Sequence, residues 1–170
     1  MSNKYVERDL SESEFKKFLA LFSDIFLFST YIKVIHPIRG KVPFNLYPYQ
    51  KSVLLQFLKN RFNIILKFRQ AGITELISMY CLWLAMFHPN KNIVIISIKD
   101  RVAKKVLRKI KYMYKNLPEF LQVKIVNGRA GEYGTATEME FINGSIITSI
   151  PTTEDAGRSE AVSLLVIDEA

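Results

Sequence analysis

The sequence predicts an α/β protein in which a mostly parallel sheet is flanked by helices. Three apolar segments are predicted to be strands: FNIILKF at 62–68, NIVIISI at 92–98 and LLVI at 164–167. Segments with the apolar spacing of helices lie between them, and strands that alternate with helices in this way usually pair in parallel. An N-terminal helix and a small β-hairpin insertion are expected to add to this core.

The composition is that of a folded domain with a polyanionic partner. Of the 170 residues, 49% are hydrophobic, and 24 Lys and Arg against 16 Asp and Glu give a net charge of +8. A nucleotide or a nucleic acid would suit that charge. Cys81 is the only cysteine, which excludes an internal disulfide or a thiolate cluster and suggests a packing role. No segment resembles a membrane span or a secretory signal, so we expect a cytoplasmic protein without membrane contact.

The first part of the chain predicts a helix followed by a loop. Ser11 and Glu14 fit a capping box, and apolar spacing continues the helix to Phe26. Prolines and Gly40 between residues 36 and 48 predict a linker loop, and another helix can begin directly after it. The predicted division is therefore a lead-in of residues 1–46 and an α/β domain of residues 47–170.

The remaining elements follow from periodicity and turn residues. Helices are predicted at 73–87 and at 99–116. After Pro118, the segments VKIV, EMEFI and SIITSI predict short strands. Asn143-Gly144 lies between the last two and is a strong signal for a hairpin turn. We expect that hairpin to decorate the core.

The stretch ILKFRQAGITEL, residues 65–76, resembles a phosphate-binding loop of the form G-x-x-x-x-G-K-[ST]. When Gly72 and Thr74 are aligned with that pattern, Lys67 replaces the first Gly and Ile73 replaces the Lys. Backbone amides at the next helix's N-terminus would bind phosphates, and Thr74 would hold Mg²⁺. The missing charge could come from Lys67 and Arg69. The predicted nucleotide-binding loop comprises Lys67, Arg69, Gln70, Ala71, Gly72, Ile73 and Thr74.

Two observations leave this loop open to another interpretation. A strand-to-helix turn with two surface cations would have the same sequence. Glu75 would also repel phosphate unless its carboxylate points away from the loop.

Two carboxylates follow the last apolar strand, at the sheet edge where open α/β sheets bind ligands. Asp168 would hold Mg²⁺, and Glu169 would act as the general base that activates the attacking water. A strand that ends in a polar turn would look the same. The loop, the hydroxyl and the acidic pair nevertheless occur in the chain order that an ATP site requires.

Three weaker signals complete the candidate site. In LYPYQ, Gln50 could bond the adenine edge while Tyr49 or Tyr47 stacks on it, although aromatic packing explains the tyrosines equally well. Arg158 could be an arginine finger that acts on a neighbouring subunit, or merely a solvated loop residue. The basic helix at 99–116 favours a solvated outer face, with contact to DNA backbone as the alternative.

With these residues in place, the chain resembles the N-terminal ATPase domain of a tailed-bacteriophage terminase large subunit, a P-loop ATPase that packages DNA. The matching segments are YIKVIHPIRG, LYPYQ, NIILKFRQAGIT, IVIIS, KIKYMYKNLP and GRSEAVSLLVIDEA. Terminases are similar in having a deviant loop of the R-Q-x-G form. Ile73, Glu75 and Ser159 depart from residues common among relatives, which leaves the loop chemistry the weakest part of the match.

The resemblance implies an ATPase with ATP and Mg²⁺ as ligands, Walker A and Walker B motifs, and Glu169 and Arg158 as catalytic residues. It also implies transport of double-stranded DNA into a procapsid by a homo-oligomeric ring, with a portal protein and a small terminase subunit as partners in the bacterial host cytoplasm. Such subunits continue beyond the acidic pair into a nuclease domain, so this chain looks truncated and is expected to hydrolyse little ATP. The alternatives are a helicase-like ATPase and a non-catalytic module that keeps the fold.

Overall fold

The fold is described by a computed structural model over residues 9–97, 100–129, 132–151 and 161–168. Its helices are α1 (Glu12–Ser23), α2 (Ile25–Ser29), α3 (Pro48–Lys59), α4 (Ile73–Phe87) and α5 (Asp100–Lys115), with a short 3-10 helix at Glu119–Leu121. Its strands are β1 (Lys33–His36), β2 (Gly40–Pro43), β3 (Asn92–Ser97), β4 (Glu138–Glu140), β5 (Ile146–Pro151) and β6 (Leu164–Ile167).

The larger sheet of the described part has the strand order β4-β5-β3-β6. β3 pairs in parallel with β5 and with β6, and β4 pairs antiparallel with β5. The interior of β3 is buried because both of its neighbours and the helices cover it. The predicted α/β class with a mostly parallel sheet is therefore confirmed. Parallel pairing places the carboxyl ends of β3, β5 and β6 at one edge.

Two helices pack on this sheet and on each other. α4 buries most of its apolar residues, including Cys81, as the sequence predicted. α5 buries one stripe, with Val106, Ile110 and Met113 at its centre, and exposes cations elsewhere. No helix in the four described ranges is long and apolar enough to cross a membrane.

The predicted leading helix is two helices. The capping box of Ser11 and Glu14 is present, but α1 ends at Ser23 and the side chain of Asp24 begins α2 by accepting from two backbone amides. The indole of Trp83 donates to the carbonyl of Leu21 at 2.8 Å, which ties α1 to α4. Side chains from these helices belong to the same buried cluster as the sheet, while the domain boundary at residue 46 stays a prediction.

The predicted linker loop contains a hairpin. β1 and β2 pair antiparallel from Lys33 opposite Pro43 to His36 opposite Gly40. Gly40 has a φ of 67°, a conformation in which glycine carries no steric penalty. The loop predicted from the prolines is therefore correct only for residues outside these two four-residue strands.

The predicted buried strand at 62–68 is wrong. The segment runs between α3 and the loop without pairing to a strand in the described ranges, and Ile64 and Leu66 are fully exposed. Ile65 packs partly against the core, so alternate side chains face inward. Apolar and β-branched residues favour an extended backbone. A β-strand nevertheless forms only where a neighbouring strand pairs with it through hydrogen bonds.

The second hairpin is also more than a decoration. The turn at Asn143-Gly144 joins β4 to β5 as predicted. β5, however, pairs in parallel with β3 over six residues, from Asn92 opposite Ile146 to Ser97 opposite Pro151, and is thus part of the main sheet. Within the described ranges VKIV forms no named strand, and Ile125 makes an isolated antiparallel bridge to Phe141.

Candidate phosphate-binding site

The loop before α4 contains two residues with a left-handed backbone conformation, one of which is not glycine. Gln70 and Gly72 have φ values of 63° and 68°, both in the left-handed region. The first hydrogen bond of the helix runs from the amide of Leu76 to the carbonyl of Gly72 at 3.0 Å. The amides of residues 73–75 therefore precede that bond and lie at the positive end of the helix dipole.

Glycine is required at position 72 for two reasons. Its positive φ would strain any other L-residue. A Cβ added there would lie 2.7 Å from Nε2 of Gln50, well inside contact distance. The close approach of Gln50 to the loop thus depends on the absence of a side chain at position 72.

Helix α3 holds this loop through the carbonyl of Ala71. The Tyr49 hydroxyl donates to that oxygen at 2.7 Å, and Gln50 Nε2 donates to it at 3.1 Å. Gln50 Oε1 in turn accepts from the amide of Tyr47 at 3.0 Å, and Gln50 is only 1% exposed. Each end of the amide can make one further hydrogen bond. Hydrogen bonding of Gln50 to adenine stays a prediction. The structure adds a contact that the sequence did not predict, in which Gln50 holds the carbonyl of Ala71.

Aromatic rings surround the same corner. Tyr47 and Tyr49 stack with centroids 5.7 Å apart and an interplanar angle of 6°. Tyr49 also contacts Phe68 at 6.4 Å. Aromatic packing, one of the two interpretations of these tyrosines, is present, and Tyr49 keeps 41% of its surface exposed. Stacking on a base stays a prediction.

Three predicted site residues meet at the end of β6. The ammonium of Lys67 pairs with Asp168 Oδ1 and lies 3.3 Å from Thr74 Oγ1. Thr74 Oγ1 also donates to Asp168 Oδ2 at 3.1 Å. Asp168 is buried, with 5% of its surface exposed, because its amide continues the pairing of β6 with the carbonyl of Ile96. The structure thus brings together a cation, a hydroxyl and a carboxylate from three separate segments.

The oxygen atoms of this cluster are suitable ligands for Mg²⁺. Mg²⁺ prefers oxygen donors and usually keeps several waters, so one carboxylate and one hydroxyl beside a phosphate are a sufficient protein contribution. Thr74 and Asp168 would be those ligands. The described residues contain no group of three or more His, Cys, Asp or Glu that could enclose a metal by protein side chains alone.

The carboxylate of Glu75 points away from the loop. This is the orientation in which Glu75 would not repel a bound phosphate. Its carboxylate pairs with the ammonium of Lys109 on α5. The two residues are 34 positions apart in the sequence, so no local sequence pattern predicts their contact. Its consequence is that Glu75 is neutralised beside Thr74 instead of opposing an anion there.

The other predicted residues are placed as follows. Arg69 and Gln70 are exposed on the loop, Ala71 and Ile73 are buried at its end, and Arg69 makes no ion pair within the described ranges. Arg158 and Glu169 lie outside the described residues. Their predicted catalytic roles are therefore untested.

Comparison with known proteins relates this arrangement to one fold. No protein-family model matches the chain. The chain is similar in structure to the HK97 bacteriophage large terminase, solved by crystallography, with a TM-score of 0.61 and 16% sequence identity. The match covers 87% of this chain and 37% of that chain. The chain therefore shares the mixed α/β fold, a mostly parallel sheet flanked by helices, of part of a phage large terminase.

Proposed function

We propose that this chain is the ATP-binding part of a motor of the terminase type, which hydrolyses ATP to move double-stranded DNA into a procapsid. The observation that carries the proposal is the contact of Lys67 with both Thr74 and Asp168. A cation, a hydroxyl and a carboxylate at the carboxyl end of a parallel strand are the groups that phosphoryl-transfer sites use. The fold shared with the HK97 large terminase supports the motor class.

The chemistry assigns each group a task. The phosphates of ATP bind at the N-terminus of α4, where backbone amides and the helix dipole favour negative charge. Lys67 and Arg69 add the positive charge that a phosphate loop normally takes from the Lys that Ile73 replaces. Thr74 and Asp168 hold Mg²⁺, which supplies further charge neutralisation at the phosphates.

The remaining roles rest on sequence position. Glu169 accepts a proton from the attacking water, and Arg158 acts on a neighbour's nucleotide in a homo-oligomeric ring. A portal protein and a small terminase subunit are the further partners of such a motor in the host cytoplasm. A helicase-like ATPase of similar fold would use the same groups, and the R-Q-x-G loop favours the terminase type.

One observation favours a second candidate, a non-catalytic module. Lys67 neutralises Asp168 directly, so the cluster is electrostatically complete as an ion pair. Such a pair could serve only to fasten the loop to β6. The two candidates differ in whether Mg²⁺ and ATP bind.

A thermal-shift titration with Mg²⁺-ATP separates them. A ligand that binds only the folded state at 100 times its Kd stabilises it by about 2.7 kcal/mol. We expect a saturating rise in Tm that disappears in Lys67→Ala, Arg69→Ala, with each protein compared with its own nucleotide-free Tm. The matched control is Lys51→Ala, Lys59→Ala on α3, which removes the same charge from an exposed surface and should retain the shift.

Two further outcomes of this experiment are informative. No shift in the unaltered chain would contradict the proposal and favour the non-catalytic module. A smaller shift with Mg²⁺-GTP than with Mg²⁺-ATP would support base reading by Gln50.

A further inference from the structure

Helix α5 presents a line of cations to solvent. Arg101, Lys105, Arg108 and Lys115 are all exposed, and their spacing places them on one face of the helix, with the half-buried Tyr112 between them. The opposite face is buried in the core, where Val106 and Ile110 are almost fully covered. The charged line is therefore a fixed feature of the surface, held by the packing behind it.

Two clefts border this line and share Arg108. The larger, of about 410 Å³, lies between α5 and the β1–β2 hairpin, and the smaller has about 340 Å³. The hairpin lines the larger cleft with Val34 and Ile35, and α5 lines it with Lys105, Arg108 and Tyr112. The smaller is lined by Arg101, Lys104, Arg108, Lys111 and Ala136. The cations thus stand along concave walls.

Two cations at the centre of this line have no carboxylate partner within the described ranges. Within the described ranges, Lys105 and Arg108 form no ion pair, and the one carboxylate that lines the larger cleft, Glu75, pairs with Lys109. Lys111 donates to the carbonyl of Thr135 and also lies near the carboxylate of Glu132, which favours its charged form. The face therefore carries a clear positive excess.

The β1–β2 hairpin that borders the larger cleft also carries exposed cations. Lys33, Arg39 and Lys41 are exposed on or beside β1 and β2. The ammonium of Lys41 lies 3.2 Å from Oδ1 of Asn116, directly after α5, which fastens the hairpin to the end of the helix. The cations of the groove thus come from α5, while the hairpin lines it with Val34 and Ile35 and carries further exposed cations.

We propose that this groove binds the phosphate backbone of double-stranded DNA. The inference deepens the proposed function and rests on it for the choice of DNA as the partner. Residues 101–115 rise roughly 21 Å along the helix axis, and one strand of duplex DNA carries a charge about every 3.4 Å of axis. A linear polyanion can meet all the exposed cations at once, whereas a single small anion can reach only one or two of them.

An anionic membrane surface fits the geometry less well. Helices that bind membranes bury an apolar face among the lipids, and the apolar face of α5 already packs against the sheet and α4. The exposed line of α5 contains cations and Tyr112, and the exposed aliphatic residues beside it, Ile35 and Ile38, lie on the short hairpin and not on an apolar helix face.

The test is DNA binding by fluorescence anisotropy over a series of salt concentrations, without nucleotide. The variant is Lys105→Gln, Arg108→Gln, and the matched control is Lys51→Gln, Lys59→Gln on α3. We expect the groove variant to bind about tenfold more weakly and to lower the slope of log K against log salt by about 2, close to 0.9 for each lost phosphate contact. Equal losses in the two variants, or none in the groove variant, would overturn the proposal.

Two further arms test the charge of the larger cleft and the choice of DNA over lipid. Glu75→Gln removes the carboxylate from the larger cleft and releases Lys109, so it should tighten DNA binding severalfold, and weaker binding would count against the groove. Anionic phospholipid vesicles bound more tightly than DNA, with the same loss in the groove variant, would assign the surface to membranes instead. The groove variant should keep the Mg²⁺-ATP shift, so failure of DNA binding and failure of nucleotide binding are distinguishable.

Discussion

The ammonium of Lys67 and the carboxylate of Asp168 form an ion pair although 101 residues separate them in the sequence. The pair connects the loop before α4 to the end of β6. The side chain of Asp168 is only 6% exposed, whereas that of Lys67 is 28% exposed. The carboxylate therefore depends on the ammonium and on Thr74 for the stabilisation that water would otherwise give it.

Removal of one partner of this pair should cost stability. We expect Lys67→Met to lower the free energy of unfolding by about 1–3 kcal/mol, because among the described residues it leaves the buried carboxylate with the Thr74 hydroxyl as its remaining side-chain donor. Lys67→Met, Asp168→Asn should lose less than the sum of the two single variants. Urea unfolding at neutral pH measures all four proteins, and additive losses would mean that the pair contributes no coupling.

Gly72→Ala should destabilise the loop more than Gly40→Ala destabilises the hairpin. Both glycines have φ near 67°, but a Cβ at position 72 meets Gln50 at 2.7 Å, whereas a Cβ at position 40 meets nothing within 4 Å. The backbone cost of about 1–2 kcal/mol applies to both, and the clash adds to it only at position 72. Thermal unfolding compares them. Equal losses would show that Gln50 moves aside without cost.

Ile64→Thr, Leu66→Thr should leave the unfolding free energy within about 0.5 kcal/mol of the unaltered chain, because both side chains are exposed. A truly buried strand would lose several kcal/mol through the same changes. The exposed apolar line is also expected to promote self-association, so the variant should stay monodisperse at higher concentration in light scattering. A large loss of stability would mean that the segment is covered in solution.

Acid should destabilise the fold through His88. Burial, and then the charge of Lys91, lower the pKa of its imidazole, and its Nε2 has no hydrogen-bond partner in the described ranges. Below about pH 6.5 the unfolded chain therefore binds a proton at His88 that the folded chain does not bind. As the pH falls, the unfolding free energy decreases by at most about 1.4 kcal/mol per pH unit. His88→Gln should flatten this part of the pH profile in urea titrations between pH 7 and 5. An unchanged slope would contradict the assignment.

Local chemistry decided several elements from the sequence alone. The capping box of Ser11 and Glu14 marks the start of α1, and the long apolar run before Pro89 predicts α4 with correct bounds. The Asn143-Gly144 turn is equally local. In each case the deciding interactions join residues a few positions apart, so their spacing in the sequence carries the information.

The candidate site was predicted in kind but not in its connections. Residue types and chain order indicated that Lys67, Thr74 and Asp168 belong to one site, because the loop, the hydroxyl and the acidic strand end follow each other in the order that an ATP site requires. Only the tertiary structure decided that Glu75 turns to Lys109 and that Ala71 is held from α3. It also decided that residues 62–68 stay unpaired among the described residues and that β5 joins the main sheet. The physical reason is that a hydrogen bond or ion pair between distant residues depends on where the whole chain places them, and local periodicity does not report that.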